Sequence, residues 1–177
     1  MLIIIEGIDG SGKTTLCNQL KDSGCEVVRI NRNEPNITLE TAYYYITSDK
    51  IYVMDRAILT PWAYRLFDNS KLDEDDFEFL DALKILKYSK VIYCNCKNAY
   101  INSIRRGEDN IKTVNDSNKL RNIYDVIVGT LKLYNLSTVF EYDFETNSVD
   151  DVINFIKGGR QNAIWQLYYP RYRLLYG

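Results

Sequence analysis

The chain has 177 residues, enough for one well-buried core, and its 22 basic and 24 acidic side chains leave a net charge of −2, with no global field to recruit nucleic acid or an anionic membrane surface. No apolar run approaches transmembrane length, and the short N-terminal one lacks the basic flank of a signal peptide, so a single cytoplasmic domain over residues 1–177 is expected. Four cysteines, Cys17, Cys25, Cys94 and Cys96, show no CxxC spacing; without a histidine a zinc site would need all four, so reduced structural thiols are expected.

Leu2-Ile3-Ile4-Ile5 reads as a buried strand that runs straight into Glu6-Gly7-Ile8-Asp9-Gly10-Ser11-Gly12-Lys13-Thr14-Thr15. Gly7 and Gly12-Lys13-Thr14 satisfy GxxxxGK[ST], the pattern of a phosphate-binding loop. Glycines permit a tight turn whose backbone N–H groups point inward at an anion, and the positive end of the next helix adds to their field. A nucleotide's phosphate chain is the expected ligand of the stretch that holds Gly7, Asp9, Gly10, Ser11, Gly12, Lys13, Thr14 and Thr15. Lys13 would bridge its β- and γ-phosphates, and the Thr14 hydroxyl would ligand Mg²⁺.

Leu16, Cys17 and Leu20 place an apolar stripe on a helix from about Lys13 to Asp22, stopped by Gly24. Val27-Val28-Arg29-Ile30 reads as a second strand, completing a right-handed βαβ unit. After a polar loop, residues 38–47 read as a helix, and Lys50 to Arg56 as a third strand ending in Asp55-Arg56. A carboxylate at a strand's C-terminal end beside a phosphate loop suits a second Mg²⁺-ordering group; a surface ion pair is the alternative. Asp73-Glu74-Asp75-Asp76 precedes an apolar helical pattern through Phe77, Leu80, Leu83 and Ile85 with lysines at its end, so these acids read as helix N-terminal charges rather than metal ligands.

Val91 to Cys96 reads as the fourth strand, with Cys94 and Cys96 on one face, and Ala99 to Arg106 as a short helix turning Ile101 and Ile104 inward. The polar run from about Arg105 to Ser117 reads as a mobile lid. Leu120, Ile123, Tyr124, Ile127, Leu131 and Tyr134 then recur at helical spacing over about Asp116 to Tyr134. Residues 137–142 supply the fifth strand, and Ser148-Val149-Asp150-Asp151 a capping box for a last helix burying Val152, Ile153, Phe155 and Ile156 and ending at Gly158-Gly159. The expected fold is a three-layer α/β domain, a five-stranded parallel sheet with helices on both faces. The tail over 158–177 interleaves Trp165, Tyr168, Tyr169, Tyr172 and Tyr176 with arginines. It could stack nucleic-acid bases, but docking on the domain or on a second subunit is the preferred reading.

Four stretches resemble thymidylate kinases and their relatives the deoxynucleoside kinases: the loop from Ile5 to Thr15; Glu34-Pro35; Asp55-Arg56 followed by Thr60-Pro61-Trp62-Ala63-Tyr64; and the lid-like Arg105-Arg106-Gly107. The resemblance spans most of residues 1–157 and implies the P-loop kinase fold and phosphoryl transfer from ATP with Mg²⁺. It makes Asp9 a contact to the acceptor's sugar hydroxyl, Arg56 the holder of the acceptor phosphate, and Asp55 the orderer of the Mg²⁺ water shell. The loop contains no arginine, so Arg105 and Arg106 become the cationic clamp on the transferring phosphoryl. The implied reaction is ATP + dTMP giving ADP + dTDP. An alternative is a deoxynucleoside acceptor with Glu34 as base for its 5′-hydroxyl. A homodimer would fit the family. The chain is short between Glu34 and Asp55, where the family places base-pocket residues, and Arg65 stands where the family often has glutamine, so the acceptor base is open. A non-enzymatic nucleotide-binding regulator or nucleic-acid-associated protein is the reading from another class. No asparagine-lysine-x-aspartate favours a GTPase.

Overall fold

The computed structural model describes residues 1–29, 37–68, 77–107 and 112–158. Glu34, the acidic cluster 73–76, part of the expected lid (108–111) and all but the first residue of the tail therefore lie outside the described residues. Five strands, β1 (Leu2–Glu6), β2 (Glu26–Arg29), β3 (Tyr52–Asp55), β4 (Lys90–Cys94) and β5 (Thr138–Tyr142), form one parallel sheet in the order β2-β3-β1-β4-β5. β1 is central and wholly buried because a strand covered on both faces must be apolar on both. Its register sets Ile4 beside Met54 of β3 and Val91 of β4.

Alternation along β1 divides the core. Ile3 and Ile5 face one layer with Leu16, Cys17 and Leu20 of α1 (Lys13–Asp22) and Val152 and Ile156 of α7 (Val149–Lys157). Leu2 and Ile4 face the other, with Ala42 of α2 (Leu39–Thr47), Leu59 and Ala63 of α3 (Leu59–Phe67), Ile85 and Leu86 of α4 (Phe77–Lys87), and Leu120, Tyr124, Val128 and Leu131 of α6 (Val114–Leu133). The last helix is capped at both ends. Ser148 and Asp151 form the expected capping box, and the buried Lys90 donates to the carbonyls of Phe155, Ile156 and Gly158 at 2.7–3.0 Å.

Several expectations are corrected. Ile101 and Ile104 of α5 (Ala99–Arg105) are exposed, because this helix turns its small residues Ala99 and Ser103 onto the glycine-rich loop between β1 and α1. The polar run expected to continue to Ser117 turns helical earlier: α6 begins at Val114, with the Thr113 hydroxyl accepting from the Asp116 N–H. Tyr134, expected on the inner face of α6, is its exposed C-cap, while Val128 joins the buried face. Cys94 and Cys96 belong to different cores, since β4 ends at Cys94 and the backbone leaves the pleat that would have kept them on one face. All four cysteines are free thiols. Helix α3 answers to no periodic signal in the sequence reading.

Candidate functional site

Between β1 and α1 the chain makes the expected tight loop. Gly7 (φ 141°) and Gly10 (φ 76°) adopt backbone that side chains disfavour, and neither has room for a Cβ. At Gly7 that atom would lie 2.4 Å from the Cys94 carbonyl oxygen; at Gly10, 2.0 Å from the Ala99 carbonyl oxygen. The loop is thus wedged between the ends of β4 and α5. Ser11 is buried, its Oγ donating to the Ile8 carbonyl at 2.7 Å. Gly12 is the N-cap of α1 and brings no side-chain cap, so the first N–H groups of the helix face the loop's concavity without an acceptor from that residue, the arrangement that receives an anion.

Lys13 folds back across this loop, its Nζ donating to the Ile8 carbonyl and lying 3.4 Å from Ser11 Oγ. It is 4 % exposed, and burial, with a further contribution from the Arg56 charge, lowers its pKa to about 8. Thr14 and Thr15 are exposed in the first turn of α1.

Arg56 follows β3 with φ 62°, unusual for a side-chain-bearing residue, and its N–H donates to the Ile5 carbonyl at 3.0 Å. This turn carries the guanidinium back to the loop, where Nη2 donates to Asp9 Oδ1. Burial opposes the Arg56 charge, but the Asp9 carboxylate outweighs it and raises the pKa further above the ordinary arginine value. Asp9 is itself buried, and its other oxygen accepts from Tyr64 of α3 at 3.4 Å. Asp55 ends β3 beside Ile5, and its buried Oδ1 has no hydrogen-bond partner among the described residues.

On the far side of the loop, Asn102 of α5 donates to the Gly10 carbonyl at 3.4 Å. Arg105 and Arg106 are exposed within the next turn, followed by Gly107 at φ 68°. Lys13, Asp9, Arg56, Tyr64 and Asp55 are therefore brought together around one loop, with the arginine pair on the helix that abuts it.

The sequence alone assigns no role to Glu6. Glu6 is fully buried; its Oε1 accepts from the N–H groups of Ala57, Ile58 and Leu59 at 2.9–3.0 Å, and its Oε2 from the Thr60 hydroxyl at 2.6 Å. The signal was an ionisable residue closing an otherwise apolar buried strand, since a carboxylate there needs donors from elsewhere in the chain.

Solved structures share this fold. A Bacillus subtilis protein, YorR, in complex with phosphorylated GDP, matches at a TM-score of 0.63 and 17 % identity over 89 % of this chain and 96 % of its own. Deoxyadenosine kinase from M. mycoides with dCMP and dCDP bound matches at 0.62 and 18 %, over 90 % of this chain and 100 % of its own. Thymidylate kinase from Candida albicans matches at 0.54 and 17 %, over 96 % and 91 %. The fold is that of the nucleoside and nucleotide kinases. No protein-family profile matches the sequence, and no curated protein does.

Proposed function

We propose that this protein is an ATP-dependent kinase that phosphorylates a nucleoside monophosphate, dTMP foremost. The observation that carries the reading is Arg56, a permanent cation held by Asp9 and by its own backbone turn against the lip of a glycine loop built for phosphate. The loop N–H groups and Lys13 bind the donor's phosphates. Arg56 commits Nη2 to Asp9 and keeps its other N–H donors for the acceptor phosphate, while Asp9, hydrogen-bonded through Tyr64, meets the acceptor sugar. Holding both reactants in one geometry removes much of the entropic barrier to transfer. Arg105 and Arg106 close from α5 onto the charge that develops on the moving phosphoryl, and the closed lid excludes water from it.

Thr14 and Asp55 are the residues that would hold Mg²⁺ or its water shell. The buried Asp55 Oδ1, without a hydrogen-bond partner among the described residues, supports that assignment, because such an oxygen calls for a partner. When bound, the ion neutralises charge on the β- and γ-phosphates.

Similarity in fold to a deoxyadenosine kinase favours a second reading, a nucleoside acceptor whose 5′-hydroxyl loses its proton to Glu34. ADP release measured over a panel of nucleosides and monophosphates separates the two. A monophosphate substrate with activity kept in Glu34→Gln supports the first; a nucleoside substrate with activity lost in that variant supports the second. No acceptor-dependent ADP from any member of the panel would reject both.

A further inference from the structure

A carboxylate is costly to bury, and such groups persist where a full set of donors meets them. Glu6 is fully buried, and among the described residues every donor it receives belongs to one short stretch, Ala57 to Thr60. That stretch begins immediately after Arg56. The Arg56 N–H is held by the Ile5 carbonyl, and the next N–H, that of Ala57, by Glu6 Oε1 at 3.0 Å. The backbone on both sides of the Arg56 Cα is therefore fixed by two consecutive residues of β1, and the left-handed φ of 62° is what this double tether imposes.

The same carboxylate reaches further. Thr60 gives its proton to Glu6 Oε2, so the contact of 2.9 Å between Thr60 Oγ1 and the Tyr124 hydroxyl has Tyr124 as donor. Tyr124 is buried in α6 and stacked on Tyr93 of β4, with ring centroids 5.8 Å apart. Glu6 also directly precedes Gly7. One side chain thus references the phosphate loop, the acceptor-side arginine and the helix that follows the lid.

We infer that Glu6 is a positioning residue for the acceptor: by capping the turn from Ala57 to Thr60 it aims the Arg56 guanidinium at the acceptor phosphate. The inference rests on the kinase reading for the identity of what Arg56 binds, but not for the ordering of Arg56 itself. Small misplacements of an aligned reactant cost large factors in rate, so the loss on breaking the cap falls on the acceptor and not on ATP.

Glu6→Gln keeps the volume but exchanges the carboxylate for a neutral amide, which weakens the charge-assisted bonds from the Ala57, Ile58 and Leu59 N–H groups and sets a donor against the Thr60 hydroxyl. We expect kcat/KM for the acceptor to fall by about 10–100-fold, with the Kd for ATP in the absence of acceptor changed less than about threefold. In an Arg56→Ala background the same substitution produces little further loss, because its effect runs through a side chain already removed. A purely structural cap would give additive losses and a parallel loss of ATP affinity, and either result overturns the inference. Ordering of the Arg56 Nε–H group, followed by NMR relaxation in the wild-type and Glu6→Gln proteins, tests the point without catalysis. Arg56 should become more mobile in the variant while the amides of residues 7–15 keep their order; unchanged Arg56 order refutes the inference. A wild-type protein that turns over no acceptor yet shows this change rejects the kinase reading and leaves the positioning role standing.

Discussion

Lys13 carries the prediction with the largest measurable coupling. Burial lowers its pKa to about 8 in the ligand-free protein, against an ordinary value of 10.5. Donor phosphates placed against it restore a strong preference for the charged form, so ATP binding takes up a proton wherever the free protein has lost one. Lys13 is about 90 % charged at pH 7 and about 10 % at pH 9, so ATP affinity should fall about tenfold over that interval. The terminal phosphate is already ionised in this range and adds no slope of its own. Isothermal titration calorimetry in buffers of different ionisation enthalpy reads the uptake directly: about half a proton per ATP at pH 8, approaching one near pH 9. The same shift has an opposite signature in stability. The folded pKa lies below the unfolded one, so the native protein binds fewer protons between about pH 8 and 10.5, and Lys13 contributes a stability that rises with pH through that window. Below it the buried charge costs about 3 kcal/mol, which Lys13→Met should recover as a higher unfolding free energy while abolishing ATP binding. Proton uptake near zero at pH 8–9, with affinity flat from pH 7 to 9, would refute the reasoning.

Three further outcomes follow from particular contacts. Arg105→Ala or Arg106→Ala should lower kcat by ~10³-fold or more while leaving the Kd for ATP nearly unchanged, and unchanged turnover in both variants would remove the clamp assignment. Gly10→Ala sets a Cβ 2.0 Å from the Ala99 carbonyl oxygen and 2.7 Å from the Ser103 nitrogen; both are backbone atoms, so α5 must move. We expect a loss of more than ~2 kcal/mol in urea unfolding together with weakened ATP binding, and a variant of native stability and affinity would show that the wedge is not tight. Lys90→Met keeps the bulk but removes the ammonium that caps α7, costing about 1.5–3 kcal/mol by denaturant titration with the sheet intact by circular dichroism; no loss would mean that water replaces those bonds.

Much of the molecule was legible because its signals are local. The loop pattern, the helix over Lys13–Asp22 and the Ser148–Asp151 capping box each involve residues within a few positions of one another, and each stands where the sequence placed it. The run of apolar residues in β1 and the βαβ pattern were enough for a parallel sheet. Periodicity was less reliable where a helix packs on backbone rather than on side chains. Ile101 and Ile104 looked like the inner face of α5, yet the neighbour of that face is the phosphate loop at Gly10, which leaves space only for Ala99 and Ser103. Cys94 and Cys96 were set on one face by a strand continued two residues too far.

The sequence by itself determined the glycine-rich turn between β1 and α1, the parallel sheet that presents it, and the presence of Asp55-Arg56 at a strand's end, because backbone conformation and short-range burial patterns suffice for these. Only the tertiary structure decided that Arg56 pairs with Asp9 and that Glu6 holds the turn carrying it. Helix α3 went unread for the same reason: the acceptor for its first N–H groups is a side chain 53 positions away from Leu59, and no local window contains both partners.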